Sequence, residues 1–289
     1  MAVFQVNFMA ETLGRTVPLF AILPTDKSYL PGTERREEGK PYKTLYLLHG
    51  IVGNYTDWIY GTRIQRWAEE RDLAVVMPSG DNSMYLDHAV DRYGEFIGKE
   101  LVEFTRKTFP LSGKREDTYI GGLSMGGFGA IRNGLKYHET FGAVISLSGA
   151  LVVDESLLEK VEKPKYPAET MEYRHQVYGE DLEAALKSDR NPAWLVEKMC
   201  RENIPFPDIY MACGTEDFLL EKNQAFSELL TKNHVPHVFE TAPGGHEWDF
   251  WDQHIKKALD WLPLEERNSG RTSGNIGALN RLKNKEMIP

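Results

Sequence analysis

The segment Gly122-Leu-Ser-Met-Gly126 constrains the fold of this chain more than any other feature. A short apolar run at 118–120 precedes it, and a stretch with helical spacing of apolar residues follows it at 125–137. A serine at such a junction lies on a sharp turn between strand and helix, and small flanking residues permit the strained backbone of that turn. The pattern therefore predicts a nucleophile elbow with Ser124 at its apex. The alternative is a glycine-rich turn that only packs a helix against a sheet.

Strand-like and helix-like segments alternate along most of the chain. Strands are predicted at 43–48, 74–77, 118–120, 143–147, 209–212 and 237–240, and helices at 93–109, 125–137, 219–230 and 248–262. Continuous apolar runs are typical of parallel strands covered on both faces. The predicted fold is therefore α/β, with the α/β-hydrolase arrangement of a mostly parallel central sheet between two layers of helices. Two further runs, at 3–8 and 16–23, predict an antiparallel pair at a sheet edge.

One segment, residues 151–202, interrupts this alternation. It is charged, has two prolines close to Tyr166, and lies between two predicted sheet strands. These features predict a small inserted cap region rather than an independent domain. We therefore assign residues 1–266 to one α/β-hydrolase domain with a cap insertion at about 151–202. The polar residues 267–289 are assigned to a C-terminal tail.

Charge and composition exclude several function classes. The formal net charge of -9 repels phosphate backbones, so no nucleic-acid partner is expected. The sequence has no apolar run of the ~20 residues that a membrane span needs, and no signal-peptide pattern, so a soluble cytoplasmic protein without a membrane partner is expected. The two cysteines, Cys200 and Cys213, form no Cys-x-x-Cys motif or Cys/His cluster. No metal site is therefore predicted.

The candidate base is His246. A serine hydroxyl is a weak nucleophile and needs a base that a third group orients. In this fold the chain order is Ser, then Asp or Glu, then His, which places the base near the C-terminus. His246 lies in a loop between a predicted strand and a predicted helix, as a base should. His234, His237 and His254 fall at a helix end, a strand start and inside the last helix, and are interpreted as structural or surface residues.

Two adjacent acids follow the predicted strand at 209–212, in the run Gly214-Thr-Glu-Asp217. We favour Asp217, which directly precedes the next helical segment, and hold Glu216 in reserve. The carboxylate would fix the imidazole tautomer and stabilise the imidazolium without taking the proton. The alternative for either residue is an exposed loop charge or a helix N-cap.

An oxyanion requires two backbone N–H donors in this fold. One comes from the residue after the nucleophile, Met125, and the other from the loop after the strand that ends in Leu48-His-Gly50. Ile51, the first residue after that glycine, is the candidate for the second donor. His49 is interpreted as a structural residue that holds this loop by hydrogen bonds.

Four aromatic residues lie on or near loops at the predicted catalytic edge: Trp58, Tyr60, Tyr85 and Trp248. They are candidates for lining an acyl or aromatic pocket. Aromatic packing around the loops explains their positions equally well, so both interpretations remain open.

Five motifs in order resemble the esterase D family: Leu45-Tyr-Leu-Leu-His-Gly50 with Trp58, Val75-Val-Met-Pro78, Gly121-Gly-Leu-Ser-Met-Gly-Gly127, Ala212-Cys-Gly-Thr-Glu-Asp-Phe218 and Pro243-Gly-Gly-His-Glu-Trp248. The resemblance covers about residues 1 to 262 and is strongest to bacterial tributyrin esterases and acetylesterases. It implies hydrolysis of small-molecule short-chain acyl esters through an acyl-enzyme, with no metal or organic cofactor. It also implies a triad of Ser124, Asp217 and His246. Relatives with this fold often associate, so a homo-oligomer is an open expectation.

Several alternatives remain open within and beyond this family. S-formylglutathione hydrolases typically have Gly-Leu-Thr-Cys in the oxyanion loop, whereas this chain has Gly50-Ile-Val-Gly-Asn54. Feruloyl and acetyl-xylan esterases belong to the wider family. An acyltransferase would use the same triad with an alcohol in place of water. A non-catalytic binding module that kept the fold is the alternative from another class.

Overall fold

Eight strands form the central sheet in the computed structural model, which describes residues 1–26, 28–29, 36–264 and 270–271. Their order across the sheet is β1-β2-β5-β4-β6-β7-β8-β9. Their bounds are β1 Ala2–Ala10, β2 Arg15–Leu23, β4 Thr44–Leu48, β5 Ala74–Pro78, β6 Thr118–Leu123, β7 Ala143–Leu147, β8 Asp208–Gly214 and β9 Val238–Ala242. A separate two-stranded ribbon pairs β3 (Ser28–Tyr29) with β10 (Gly270–Arg271).

The sheet is parallel from β5 through β4 to β9, and antiparallel only where β2 pairs with β1 and β5. Every residue of β4, β5, β6 and β7 is buried, because helices cover both faces of these central strands. The predicted antiparallel pair at a sheet edge and the predicted mostly parallel α/β-hydrolase sheet are both confirmed.

Helices cover the two faces of the sheet and form two apolar clusters. One cluster contains residues of α4, α5, α8 and α9, and the other contains residues of α2 and α10. The helices are α1 Asp57–Gly61, α2 Ile64–Glu69, α3 Tyr93–Glu95, α4 Leu101–Thr108, α5 Met125–Lys136, α6 Met171–Tyr178, α7 Leu182–Leu186, α8 Pro192–Glu202, α9 Leu220–Lys232 and α10 Trp248–Trp261. A π-helical turn, Phe96–Glu100, joins α3 to α4 within the single helix predicted at 93–109.

The segment predicted to be a cap, 151–202, contains α6, α7 and α8. Helix α8 packs against α5, and Val177 and Leu182 belong to the same apolar cluster as α5. This segment therefore shares its core with the helices that cover the sheet. The domain assignment itself stays a prediction, and most of the proposed tail, 267–289, lies outside the described residues.

In the part of the chain that the structure describes, no helix combines the length and the apolar character needed to cross a membrane. The cytoplasmic location and the self-association expected from the sequence stay predictions.

Candidate active site

Ser124 lies at the junction of β6 and α5 with φ of +53°, which an L-residue rarely adopts. Three backbone hydrogen bonds hold it there. The Ser124 N–H donates to the Leu147 carbonyl at 2.9 Å, and the Ser124 carbonyl accepts from Phe128 at 3.0 Å and Ala150 at 2.9 Å. A strained conformation that neighbouring elements maintain in this way is typical of functional sites.

Two glycines make this turn sterically feasible. A Cβ atom at Gly126 would lie 2.3 Å from the Leu48 carbonyl oxygen, and one at Gly122 would lie 2.4 Å from the Gly126 carbonyl carbon. Both distances are far shorter than van der Waals contact, and the opposing atoms are backbone. The start of α5 can therefore approach the end of β4 only with glycine at these positions.

The side chains of the predicted triad lie in one hydrogen-bonded line. The distance from His246 Nε2 to Ser124 Oγ is 2.9 Å, and that from His246 Nδ1 to Asp217 Oδ2 is also 2.9 Å. The three residues follow β6, β8 and β9, whose carboxyl ends share one edge of the parallel sheet. A carboxylate only accepts hydrogen bonds, so Nδ1 carries the imidazole proton and Nε2 can accept one from the serine.

Asp217 is buried beneath the imidazole. Its Oδ1 accepts the Leu219 N–H at 2.9 Å while its Oδ2 faces His246. Burial would raise the pKa of this carboxyl, but hydrogen bonds from His246, the Leu219 N–H and Ser148 outweigh it and lower the pKa below its usual value. The carboxylate is therefore ionised at neutral pH, as an orienting group must be.

Glu216, the reserve acid, has different partners. Its carboxylate accepts hydrogen bonds from the Gly244 N–H and the Thr215 hydroxyl. The Glu216 N–H donates to the Gly244 carbonyl at 3.1 Å. Glu216 thus joins the loop that carries Asp217 to the loop that carries His246.

The two candidate oxyanion donors belong to different parts of the chain: Met125 directly follows the serine, and Ile51 follows Gly50, where a Cβ atom would lie 3.5 Å from the Ser124 Cβ. Met125 is the first residue of α5, so its N–H has no acceptor within the helix. Ile51 follows β4, and its N–H belongs to the same peptide as the Gly50 carbonyl. In a trans peptide these two groups point in opposite directions. Whatever holds the Gly50 carbonyl therefore also directs the Ile51 N–H.

His49 is the side chain that holds this peptide. Its Nδ1 lies 2.6 Å from the Gly50 carbonyl oxygen, and its Nε2 accepts the Gly80 N–H at 2.8 Å. These partners require the neutral tautomer protonated at Nδ1. Burial lowers the pKa of His49, although its hydrogen bond to Gly50 opposes this effect. The contacts agree with the structural role expected from the sequence.

Two of the four aromatic candidates, Trp58 and Tyr85, are buried behind the oxyanion loop. The Trp58 indole N–H donates to the Leu48 carbonyl at 2.8 Å, and the Tyr85 hydroxyl donates to the His49 carbonyl at 3.0 Å. Their polar atoms are used by the backbone of the loop, and their rings belong to the core. These positions favour the packing interpretation over direct contact with a substrate.

The other two candidates, Tyr60 and Trp248, lie nearer the surface. Tyr60 is 79% exposed, and Trp248 is half-buried and packs edge-on against Trp58. Two exposed apolar residues beside the site were not predicted from the sequence. Phe218 is 71% exposed with its ring centroid 4.7 Å from that of His246, and Val52 is 84% exposed. Phe218 directly follows Asp217 in the chain, and Val52 directly follows Ile51. This adjacency to predicted site residues could have identified both.

Within the described ranges, no three or more His, Cys, Asp or Glu side chains are grouped so that they could hold a metal ion. The chemistry of the site is that of an activated serine beside backbone donors. This arrangement suits nucleophilic attack on a carbonyl carbon.

Comparison with known proteins agrees with this chemistry. Residues 11–262 match the Esterase family, described as "Putative esterase". An acetyl esterase of Caldicellulosiruptor saccharolyticus is 42% identical over 265 residues, which cover 91% of this chain and 98% of the relative. A substrate-bound fluorophosphonate-binding serine hydrolase of Staphylococcus aureus is 34% identical with a TM-score of 0.77, covering 90% of this chain and 98% of that one.

An S-formylglutathione hydrolase of the same bacterium has the same identity and coverage and a TM-score of 0.76. A ferulic acid esterase, 21% identical with a TM-score of 0.68, shares the fold. The resemblance to the esterase D family and the expectation of a serine-dependent carboxylesterase are thereby confirmed. The chain belongs to the Esterase family and is a serine hydrolase of the α/β-hydrolase fold that acts on carboxylic esters.

Proposed function

We propose that the chain hydrolyses short-chain acyl esters, from acetyl to butyryl, through an acyl-enzyme on Ser124. The observation that carries this proposal is the line from Ser124 Oγ through the His246 imidazole to Asp217, with both distances at 2.9 Å. A serine with an oriented base can attack an ester carbonyl without a metal or an organic cofactor.

In the first half-reaction, Ser124 Oγ attacks the ester carbonyl carbon while His246 Nε2 takes the hydroxyl proton. The carbonyl oxygen becomes an oxyanion, which accepts hydrogen bonds from the Ile51 and Met125 N–H groups. The tetrahedral intermediate then collapses, the bond to the alcohol oxygen breaks, and His246 gives its proton to the departing alcohol. Asp217 stabilises the imidazolium between these two transfers.

In the second half-reaction, water replaces the alcohol. His246 removes a proton from the water as its oxygen attacks the acyl carbon. Collapse breaks the bond to Ser124 Oγ, which recovers the proton from His246. The products are a free carboxylic acid and the original enzyme.

The acyl range rests on the 42% identical relative, which is named an acetyl esterase. A second candidate substrate class is the thioester S-formylglutathione, because a solved hydrolase of that name is 34% identical over nearly its whole length. Ferulate esters remain a weaker alternative, since the ferulic acid esterase at 21% identity shares only the fold. An acyltransferase differs only in the acceptor that enters the second half-reaction.

The test is a profile of kcat/KM on p-nitrophenyl esters from acetate to octanoate, with methyl ferulate and S-formylglutathione alongside. A maximum between acetate and butyrate supports the proposal, and a clear preference for the thioester or the ferulate replaces its substrate class. Added alcohols reveal an acyltransferase if acylated alcohol replaces free acid among the products. The control is Ser124→Ala, and retention of more than about a tenth of the activity would overturn the nucleophile assignment.

A further inference from the structure

Val52 has an unfavourable backbone conformation next to the candidate oxyanion donor. Its φ is +61°, in the left-handed region that a β-branched residue rarely adopts. Its side chain is 84% exposed, so core packing does not impose this conformation. Strained residues persist where the surrounding structure fixes them, and such strain is concentrated at functional sites.

Asn82 supplies the restraint from a different loop. The Asn82 Oδ1 accepts the Val52 N–H at 2.8 Å. Within the turn itself, the Gly53 N–H reaches the Gly50 carbonyl only at 3.3 Å, a longer and weaker hydrogen bond. Asn82 therefore gives the strained residue a shorter hydrogen bond than the one that closes the turn around it.

The loop that carries Asn82 is itself firmly held. The hydroxyl of Ser83, which is buried, donates to the Gly80 carbonyl at 2.5 Å and accepts the Tyr85 N–H at 3.0 Å. These contacts join the backbone on the two sides of Asn82. The side-chain amide of Asn82 is therefore attached to a firmly held stretch of backbone.

The segment 151–202 contacts the same residue. The hydroxyl of Tyr173, on helix α6, donates to the Asn82 backbone carbonyl at 2.9 Å. Asn82 thus lies between that segment and the oxyanion loop, with its backbone held by Tyr173 and its side chain holding Val52.

We propose that Asn82 is a positioning residue for the oxyanion loop and that Tyr173 couples the 151–202 segment to this loop through it. The inference rests on the proposed function, because it takes Ile51 as an oxyanion donor. His49 fixes the peptide before Ile51, and Asn82 fixes the peptide after it. With both flanking peptides held, the direction of the Ile51 N–H is set before substrate arrives.

The first test replaces Asn82 with alanine. Loss of one hydrogen bond of modest strength predicts a fall in kcat of about 3- to 10-fold. KM should change little, because the lost restraint acts on the oxyanion formed after binding. Affinity for a trifluoromethyl ketone, whose adduct with serine carries an oxyanion, should fall by the same factor as kcat/KM. Affinity for 1-butanol, which has no carbonyl or carboxylate oxygen, should not change.

The conservative variant Asn82→Asp keeps an oxygen acceptor for the Val52 N–H. It should therefore retain more of the ketone affinity than Asn82→Ala does. Unchanged kcat and unchanged ketone affinity in Asn82→Ala would overturn the proposal. So would an equal loss of affinity for the ketone and 1-butanol, because that pattern indicates general loosening of the site.

The second test addresses the coupling to Tyr173. Tyr173→Phe removes one hydroxyl and should lower kcat by about 2- to 5-fold in the wild-type background. In the Asn82→Ala background it should have no further effect, since no amide remains to transmit the contact to Val52. Tyr166→Phe, at an exposed tyrosine of the same segment, is the matched control and should change neither background. Additive effects of Tyr173→Phe and Asn82→Ala would refute the coupling.

Failure of the proposed function would give a different result from failure of the inference about Asn82 and Tyr173. In that case the wild-type protein would not turn over esters, or Ser124→Ala would remain active. The variants of Asn82 and Tyr173 are interpreted only against a wild type that passes both controls.

Discussion

The carboxylate of Glu216 accepts a hydrogen bond from the N–H of Gly244, a residue of the loop that carries His246. The next residue in the chain, Asp217, contacts the His246 imidazole directly. Two adjacent acids therefore have separate tasks. One joins the two loops of the site, and the other contacts the imidazole of the predicted base.

This division predicts unequal effects of two isosteric substitutions. Asp217→Asn should lower kcat by about 10⁴-fold, the loss seen in serine proteases when the orienting acid is neutralised and the imidazole takes the wrong tautomer. Glu216→Gln keeps an oxygen that can accept the Gly244 N–H and should cost less than about 10-fold. Steady-state kinetics on p-nitrophenyl acetate measures both. Equal losses of kcat in the two variants would contradict the assignment of Asp217, rather than Glu216, as the acid that orients the imidazole.

The sequence predicted the elements of this site because each one has a local signature. Ser124 lies in a five-residue pattern between a strand and a helix, and His246 and Asp217 follow from chain order and loop position. Residues 118–120, however, marked only half of β6, which extends to Leu123. Its second half contains two glycines, which strand propensity disfavours but which the close approach of α5 requires.

The role of His49 in holding the oxyanion loop was predicted from the sequence, but the aromatic support of that loop could not be predicted in the same way. Trp58, Tyr85 and His49 donate hydrogen bonds to three consecutive carbonyls, those of Leu48, His49 and Gly50. Tyr85 and His49 are 36 residues apart in sequence, so their contact depends on the folded arrangement of two loops. An aromatic residue near a predicted site has the same local pattern whether it faces substrate or backbone. Only burial and hydrogen-bond geometry separate these two roles.

A second prediction concerns Ser124 and His246 together. Because the base acts only through the nucleophile, removing either should abolish nearly all of the acceleration that depends on the pair. Ser124→Ala, His246→Ala and the double variant should therefore have similar residual kcat values. Each should be at least 10³-fold below wild type. Thermal unfolding checks that all three fold. If the kcat losses of the two single variants multiply in the double variant, Ser124 and His246 do not act in one mechanism.

A third prediction concerns the pH dependence of stability. The folded-state pKa of Asp217 lies below its unfolded value of about 3.9, because hydrogen bonds to the carboxylate outweigh the opposing effect of burial. A depressed pKa contributes stability that is fully present above the unfolded pKa and is lost as pH falls through the folded pKa.

The free energy of unfolding of wild type minus that of Asp217→Asn should therefore include the full contribution of the carboxylate above about pH 5. It should shrink progressively below about pH 4. Urea denaturation at a series of pH values measures this difference. A difference that grows as pH falls below about 4 would mean that the Asp217 pKa is raised rather than lowered.

A fourth prediction concerns the two thiols. Burial raises the pKa of Cys213 to about 12, and the nearby Asp217 carboxylate adds to the shift. Since the thiolate is the reactive form, Cys213 should resist alkylation at neutral pH, whereas the partly exposed Cys200 should react. Peptide mass spectrometry after iodoacetamide treatment of the native protein locates the label. Full activity after labelling is expected, and inactivation that follows labelling of Cys213 would contradict its burial.

The last prediction tests why glycine is required at position 126. A Cβ atom there would lie 2.3 Å from the Leu48 carbonyl oxygen and 2.6 Å from that of His49. Both opposing atoms are backbone, so relief requires α5 to move away from β4. That movement would separate the Met125 N–H from the Ile51 N–H across the oxyanion site.

We therefore expect Gly126→Ala to lower the free energy of unfolding by about 3 kcal/mol, at the upper end of the usual range for overpacking. Because misplacement of about 1 Å costs about 10²-fold in rate, the folded fraction should also lose activity on that scale. Gly113→Ala is the matched control, since its Cβ would meet nothing within 4 Å. Urea denaturation and kcat on p-nitrophenyl acetate measure both effects. If Gly126→Ala and Gly113→Ala behave alike, the close contact between α5 and β4 does not determine the geometry of the site.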